Sequence, residues 1–589
     1  MKLHILFIVL LNILIFSFNG CGSGSSTDST PIVTEPIDPT NPTLPTEIDI
    51  KVTITDDYQV ESLGIANTIN ATVSLGNTTK DLYLVLSNYA ITFSHSEIRH
   101  NAKIIELAQS RSILPSSAIE KPIIHRTPQY VKDFSSQIGT LLSQSNIQQP
   151  QAKTLAVPER SEDIAQSSTS SFCVNINSNG ACTSHTEATA RAVIANVETN
   201  FGTKTLNIWV SNDSFDEEDG KGCSKSRCVT QTMVEELAKT FLQTDTDNDI
   251  YDWVSNIYGK EWGSAAEAKY SELIPQDNAI TILLTDIDED DSPDGGVIGF
   301  FWAKDNFNAT AVSGSNERVM FYVDAVMFAN EEGFDGWDID DFWPKEMVST
   351  LAHEFQHMIN FYQKRILLLA EESESTDIWI TEMLSETTED LIATKIEHIG
   401  PRGVDYTDGS AGKTGNIDGR YPIFNANNTL SLTAWNDQVE DYSKVNAFGT
   451  FLIRNYGGAK LLHDIMHNTY VDKQAVVNAV NKSAEGAGKN FNDLLSEWGI
   501  AVMLSDHDNL INIPFYNTGD FTYSTYNKTT YDMGSINFFN YDPLPTLYTT
   551  AGTVQAQGNY YYKIGNNLTG DITINLELNG QTEAILIAK

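Results

Sequence analysis

Basic residues are scarce in this sequence: 37 Lys and Arg stand against 78 Asp and Glu, a formal charge of −41 over 589 residues. A surface so acidic repels phosphate backbones and anionic headgroups, which argues against nucleic-acid partners and against a basic membrane-docking face. Apolar runs are short. The one from Ile5 to Phe18, behind Lys2, falls below the length of a membrane span and has the size of a signal-peptide core. Cysteine is rare, five residues in all, and none stands in CxxC spacing, so a four-cysteine metal site is not expected. No internal repeat is present. What the chain does have is 41% hydrophobic and 10% aromatic residues, enough to bury a large core in more than one domain. Its carboxylates also leave many oxygen ligands for calcium.

Phe18-Asn19-Gly20-Cys21 closes the apolar run. A small residue before Cys resembles the lipobox of bacterial lipoproteins, which implies a diacylated Cys21 at the mature N-terminus and an anchor in a membrane. Gly22 to Pro45 is rich in Ser, Thr, Gly, Pro and Asp, a composition that reads as a flexible tether. With Cys21 lipidated, Cys173 and Cys182 remain as one close pair and Cys223 and Cys228 as another. Each pair would close a short disulfide loop in an oxidising compartment. The expected location is that of an exported bacterial lipoprotein, on the outer surface or a periplasm-facing membrane.

The chain divides by composition. Residues 1–20 read as signal peptide and 21–46 as tether. Residues 47–110 alternate in strand-like runs such as Ile48 to Ile54 and Leu82 to Leu86, expected as a small β-sandwich. Residues 111–171, rich in Ser, Gln and Pro, are expected as a linker or partly ordered connector. From 172 to 505 strands alternate with helices: Leu206 to Val210 and Ile280 to Leu284 as buried strands, Val234 to Leu242 and Glu346 to Leu369 as helices. Residues 510–589, with strand candidates separated by Asn-Asn and Asn-Gly turns, are expected as a C-terminal β domain.

The chemistry-bearing motif is His353-Glu354-Phe355-Gln356-His357, on the longest helix candidate. Residues four apart lie one turn above each other, so the two imidazoles can bind one zinc ion, and Glu354 beside the first can act on a water. Met347, Leu351, Phe355, Met358, Ile359 and Tyr362 give this helix an apolar stripe, and Pro344 stands where it would start. A peptidase zinc needs a third protein ligand and an open position. A third histidine six residues past the second is ruled out, because Gln363 stands there. A following helix, from about Asp377 to Ile399, offers Glu382 and Glu386 one turn apart. One can ligate zinc while the other accepts from the far nitrogen of a ligand His. Glu371, Glu372 and Glu374 lie in a charged run without apolar partners and are weaker candidates.

Ala352 to Phe361, followed by Trp379-Ile380-Thr381-Glu382-Met383-Leu384-Ser385-Glu386, resembles the hyicolysin family of bacterial metallopeptidases, which belongs with the thermolysin-like gluzincins. The resemblance implies zinc held by His353, His357 and Glu382, with Glu386 supporting a ligand histidine. Thr381 replaces the family's usual Asn, and Glu386 stays open as the alternative ligand. Tyr442-Ser443-Lys444-Val445-Asn446-Ala447-Phe448 is similar to the helix after the site in many gluzincins, which implies that Tyr442 donates to the tetrahedral oxyanion. His463 and His467 are also one turn apart, without surrounding motif residues, and read as surface or outer-shell residues.

The implied protein is an α+β, gluzincin-type zinc metalloendopeptidase with a mixed sheet and a helical lobe, flanked by the two small β domains. Protein or peptide chains are its expected substrates and Glu354 its general base. Two acidic segments are candidate calcium sites, one carrying Asp245, Asp247 and Asp249, the other Asp286, Asp288 and Asp290. A function of a different class stays open: a lipid-anchored adhesin or binding protein that keeps a relic zinc site. The intact Glu354 argues against it, because metal binding alone does not require that base.

Overall fold

The computed structural model describes residues 45–102, 127–143, 164–217, 222–243, 249–331, 336–369, 374–398, 402, 419–507, 510, 513–516, 522–541, 543–548, 552–578 and 581–589. They fall in one compact unit, Leu44–Lys589. Cys21, the expected lipidation site, and the expected tether up to residue 44 lie outside the described residues, as do Asp245, Asp247, Glu371 and Glu372. Among the described residues, no helix is long and apolar enough to cross a membrane.

The chain opens with five strands, β1 (Glu47–Thr53), β2 (Gln59–Ile65), β3 (Thr68–Ser74), β4 (Lys80–Asn88) and β5 (Ser94–His100). It closes with four more, β14 (Gly552–Val554), β15 (Asn559–Leu568), β16 (Asp571–Leu578) and β17 (Thr582–Ala588). The two ends, expected as separate β domains, interleave in the same two sheets, ordered β1-β3-β16-β5-β14 and β15-β4-β17-β2. This corrects the division read from the sequence. The physical reason lies in the side-chain pattern. Strand β16 alternates strictly between exposed and buried positions, so Ile572, Ile574, Leu576 and Leu578 lie on one face that must be covered, and the second sheet covers it. They share a core with Ile69, Ala71 and Val73 of β3 and with Leu82, Leu84 and Leu86 of β4.

Between the ends lies the main body. Within the expected connector stand two short helices, α1 (Gln129–Ser135) and α2 (Ile138–Ser143), whose Val131, Phe134, Ile138 and Leu142 join the large core. Then come β6 (Thr169–Ile176), β7 (Cys182–Thr199), β8 (Gly202–Ser211), α3 (Gln231–Phe241), α4 (Ile250–Tyr258), α5 (Ala265–Lys269), β9 (Ala279–Thr285), β10 (Gly299–Phe301), β11 (Met320–Asp324) and α6 (Ala325–Phe328). The sheet order is β10-β11-β9-β8-β7-β6, with β8, β9 and β11 parallel and the outer strands antiparallel. Strands β9 and β11 are buried at every position, as expected for strands covered on both faces. The expected strands at 206–210 and 280–284 lie within β8 and β9.

Helix α7 (Phe342–Asn360) packs against this sheet. At Phe361 it passes without a break into a wider π-helical stretch that ends at Leu368, so the single helix expected from Glu346 to Leu369 changes pitch just past the histidines. A mainly helical lobe follows: α8 (Ile378–Ile396), α9 (Arg420–Asn427), α10 (Val439–Asn455), α11 (Ala459–Met466), α12 (Gln474–Val480) and α13 (Phe491–Met503). The hairpin of β12 (Thr522–Tyr526) and β13 (Thr529–Met533) lies against α8. Helix α8 is buried on nearly every side, because α7, α10 and β13 surround it. Helices α8 and α10 approach closely at Gly449, where a β-carbon would meet the Thr387 hydroxyl and come within 3.0 Å of Met383 Cγ. The fold is α+β, with a mixed sheet and a helical lobe.

Candidate metal centre

Helix α7 presents His353, Glu354 and His357 toward α8. The two Nε2 atoms lie 3.1 Å apart. Glu382 Oε2, from the second turn of α8, is 3.4 Å from His353 Nε2 and 3.5 Å from His357 Nε2. Four-coordinate tetrahedral zinc with bonds of about 2.0–2.1 Å holds its ligand atoms about 3.3 Å apart. The triangle of two imidazole nitrogens and one carboxylate oxygen therefore fits that ion, and the donor set suits it chemically. His353 and Glu382 are buried and His357 is partly open, which leaves one side of the triangle accessible.

The electrostatics agree with this geometry. Burial opposes charge on His353, but Glu382 and Glu389 outweigh it and hold the imidazole pKa well above its ordinary range. Burial likewise opposes charge on Glu382, yet His357 and His353 hold its carboxyl well below the usual range. The cluster thus keeps Glu382 ionised and ready to accept a cation. Glu354 behaves differently. Burial pushes its carboxyl up, with His357 and His353 pulling against the shift. Its Oε2 accepts from the backbone N–H of Phe301 at 2.8 Å, so the edge strand β10 holds this side chain in place.

The partner of the far ring nitrogen of His353 is Glu389, at 2.6 Å from Nδ1, and the other oxygen of Glu389 accepts from Ser349 Oγ at 2.7 Å. A proton on Nδ1 shared with a carboxylate leaves the Nε2 lone pair for a metal. The expected role of Glu386 is therefore corrected. Glu386 is fully buried and held by Arg420, with Nε to Oε2 at 2.9 Å and Nη2 to Oε1 at 3.0 Å. Asn446 Nδ2 adds a bond to Oε2 at 3.1 Å. A carboxylate so fully engaged is a structural anion rather than a free ligand, although it lies close to His353 and Glu389.

Tyr442 sits in the first turn of α10, buried. Its phenol pKa is raised well above 10 by burial, then by the charges of Glu382 and Asp437, so it stays protonated and able to donate. Trp435 meets its ring edge-on at 5.0 Å. Glu374 takes no part in the metal-sized clusters found among the described residues. His463 and His467 stand elsewhere: their Nδ1 and Nε2 donate to the Ile257 and Tyr258 carbonyls at 2.8 and 2.9 Å, satisfying the C-terminal end of α4.

Both disulfides join the expected pairs, Cys173 to Cys182 and Cys223 to Cys228. Of the candidate calcium ligands, Asp249 caps α4 by accepting from Asp252 N at 3.0 Å, its other oxygen accepts from Gln243 N at 2.6 Å, and burial pushes its carboxyl up to about 8. Asp286 pairs with Lys225 at 2.7 Å. Asp290 accepts from Ser292 N at 3.0 Å, and Asp288 is raised by burial, then by Asp290 and Asp286.

Sequence reasoning missed Glu389, Ser349, Arg420 and Phe301. For the first two a signal existed: Glu389 is seven residues past Glu382 and Ser349 four before His353, so each shares a helix face with a proposed ligand. Arg420 and Phe301 reach the site from other elements and carry no spacing signal.

Residues 186–562 match the family model described as Peptidase M30. The chain is also similar to the neutral metalloprotease ShpI of Staphylococcus hyicus, 25% identical over 254 residues, which cover 41% of this chain and 51% of that protein. It thus spans about half the length of the curated relative it matches.

Proposed function

We propose, for a chain that belongs to the peptidase M30 family, that it is an exported, lipid-anchored zinc metalloendopeptidase hydrolysing protein or peptide chains. The observation that carries this reading is the ligand triangle, 3.1, 3.4 and 3.5 Å on its sides, set beside a buried and separately held Glu354. His353, His357 and Glu382 would hold a zinc ion, which would supply Lewis acidity to the scissile carbonyl and lower the pKa of an attacking water. Glu354 takes the proton from that water and delivers it to the leaving nitrogen. Its buried carboxyl, biased toward protonation, suits both halves of the transfer. Glu389 fixes the tautomer and direction of His353. Tyr442, protonated at neutral pH, donates to the oxyanion that exists only in the transition state.

Export is supported by the signal-like N-terminus and by two disulfides that require an oxidising compartment. Anchoring rests on Cys21, by resemblance to the lipobox. Calcium at the loop carrying Asp286, Asp288 and Asp290 is a separate proposal, favoured by the raised carboxyl of Asp288, which burial and then the charges of Asp290 and Asp286 push up. A rise in melting temperature on adding calcium to chelator-treated protein tests it.

The deciding experiment is digestion of casein by the purified protein, with and without a zinc chelator, together with metal analysis. Activity that disappears on chelation, returns with zinc and is absent in Glu354→Gln is expected. A Glu354→Gln protein that digests casein as fast as the parent removes Glu354 from the mechanism. A zinc-loaded parent that digests nothing leaves the adhesin reading.

A further inference from the structure

Three helices meet behind the metal-binding face, and their junction is charged. Glu386 lies one turn past Glu382 on α8, and Asn446 lies one turn past Tyr442 on α10. Arg420, from the start of α9, holds both oxygens of Glu386, and Asn446 Nδ2 reaches one of those oxygens and the Glu386 carbonyl, at 3.1 and 3.3 Å. The Arg420 guanidinium also stands 5.4 Å from the centre of the Tyr442 ring, a cation–π contact. All three polar side chains are buried.

Well-packed apolar residues would stabilise such a junction as well or better, since taking two charges out of water costs about as much as their attraction returns. What apolar packing would not supply is direction. A two-pronged guanidinium–carboxylate pair fixes distance and angle together. Here it fixes them between α8, one turn from Glu382, and α10, one turn from Tyr442, while the same guanidinium lies over the tyrosine ring.

We infer that Arg420 is a positioning residue: by locking α10 to α8 through Glu386 and Asn446, it sets the Tyr442 phenol against the His353–His357–Glu382 triangle. This rests on the reading of Tyr442 as oxyanion donor. Arg420 touches none of the three triangle atoms in any contact described, so its effect is expected on Tyr442 and not on metal retention.

The test uses the full protein and five variants: Tyr442→Phe, Arg420→Lys, the double variant of these two, the neutral pair Arg420→Gln with Glu386→Gln, and Trp435→Phe as the emission reference. Lysine keeps the charge and loses the fork, and the neutral pair serves if a lone lysine fails to fold. The readouts are bound zinc per chain, kcat and KM on an internally quenched peptide, and Trp435 emission taken as a difference against Trp435→Phe. Tyr442→Phe is expected to lower kcat about 100-fold with zinc retained. Arg420→Lys is expected to lower kcat about 10-fold, with KM and bound zinc unchanged and Trp435 emission shifted. The neutral pair should do the same. In the Tyr442→Phe background the Arg420 change should cost less than about twofold, because the group it positions is gone. A second 10-fold loss in that background, or loss of zinc in Arg420→Lys, overturns the inference while leaving Tyr442 as donor. Full kcat in Tyr442→Phe overturns the reading of Tyr442 itself, and the inference with it.

Discussion

Replacing Glu389 with glutamine tests which carboxylate supports the metal-binding histidine. In the parent, Glu389 spans two donors, His353 Nδ1 at 2.6 Å and Ser349 Oγ at 2.7 Å, and it is almost fully buried. The amide keeps the size and can still accept from Nδ1–H. Ser349 can turn its hydroxyl to accept from the new NH2. Shape survives and the charge is lost, so the variant isolates the electrostatic support given to His353. Loss of an outer partner of this kind costs about 10–100-fold in metal affinity or activity, about 1.4–2.7 kcal/mol. Glu382→Ala removes an atom of the triangle and should weaken zinc by more than that. Glu386→Gln disturbs a carboxylate that lies close to His353 but has both oxygens held by Arg420, so its zinc affinity should stay near the parent value. Competition against a chromophoric chelator at fixed pH gives all three constants. The expected order of weakening is Glu382→Ala, then Glu389→Gln, then Glu386→Gln. If Glu386→Gln loses zinc more readily than Glu389→Gln, the assignment of the supporting carboxylate is wrong. If Glu382→Ala binds zinc as the parent does, the triangle is not the metal site.

Zinc must displace the proton that Glu382 and Glu389 hold on His353, so affinity should rise with pH through and beyond the ordinary histidine range, which isothermal titration at several pH values checks. Without zinc the sign reverses. A raised His353 stabilises below its unfolded pKa of about 6.5, and a depressed Glu382 stabilises above its unfolded pKa of about 4.3. Melting of chelator-treated protein should therefore show this contribution whole only between about pH 4.3 and 6.5 and declining above, and stability that climbs across neutral pH would contradict it. Gly449→Ala should destabilise by about 1–3 kcal/mol, because the methyl has no room between α10 and Thr387; denaturant unfolding measures it, and an unchanged midpoint would mean that the helices part freely. Cys21→Ser should move the protein from the membrane fraction to the soluble one, and a variant that stays membrane-bound refutes the anchor.

The parts of the site that the sequence made legible are those set by local helical geometry. His353 and His357 recur at one turn, and Glu382 follows on the next helix within a recognisable segment. Spacing alone leaves Glu386 open as outer partner or alternative ligand, because it cannot tell two carboxylates on adjacent turns apart. The deciding fact is Arg420, which arrives from α9 and neutralises one of them. In the fold, strands and helices of the main body were legible from apolar runs and periods. The union of the terminal strands was not, because alternation along β16 says that one face is covered without saying by which sheet. The helices α1 and α2 were hidden for another reason: four buried apolar residues among Ser and Gln give only a weak stripe.

The interleaving of the two chain ends also governs how the protein is made and how it survives damage. Strand β16 lies between β3 and β5, and β17 lies between β4 and β2, so neither sheet can close until these two strands have left the ribosome. A truncated chain would leave β3 and β4 with open edges, the kind of surface that aggregates or is degraded. Once closed, the same arrangement works as a clasp. A cut anywhere in the long excursion between β5 and β14 leaves the two fragments joined by the β3–β16, β5–β16, β4–β17 and β2–β17 ladders. If Cys21 holds the N-terminal fragment at a membrane, a nicked molecule keeps its C-terminal fragment there as well.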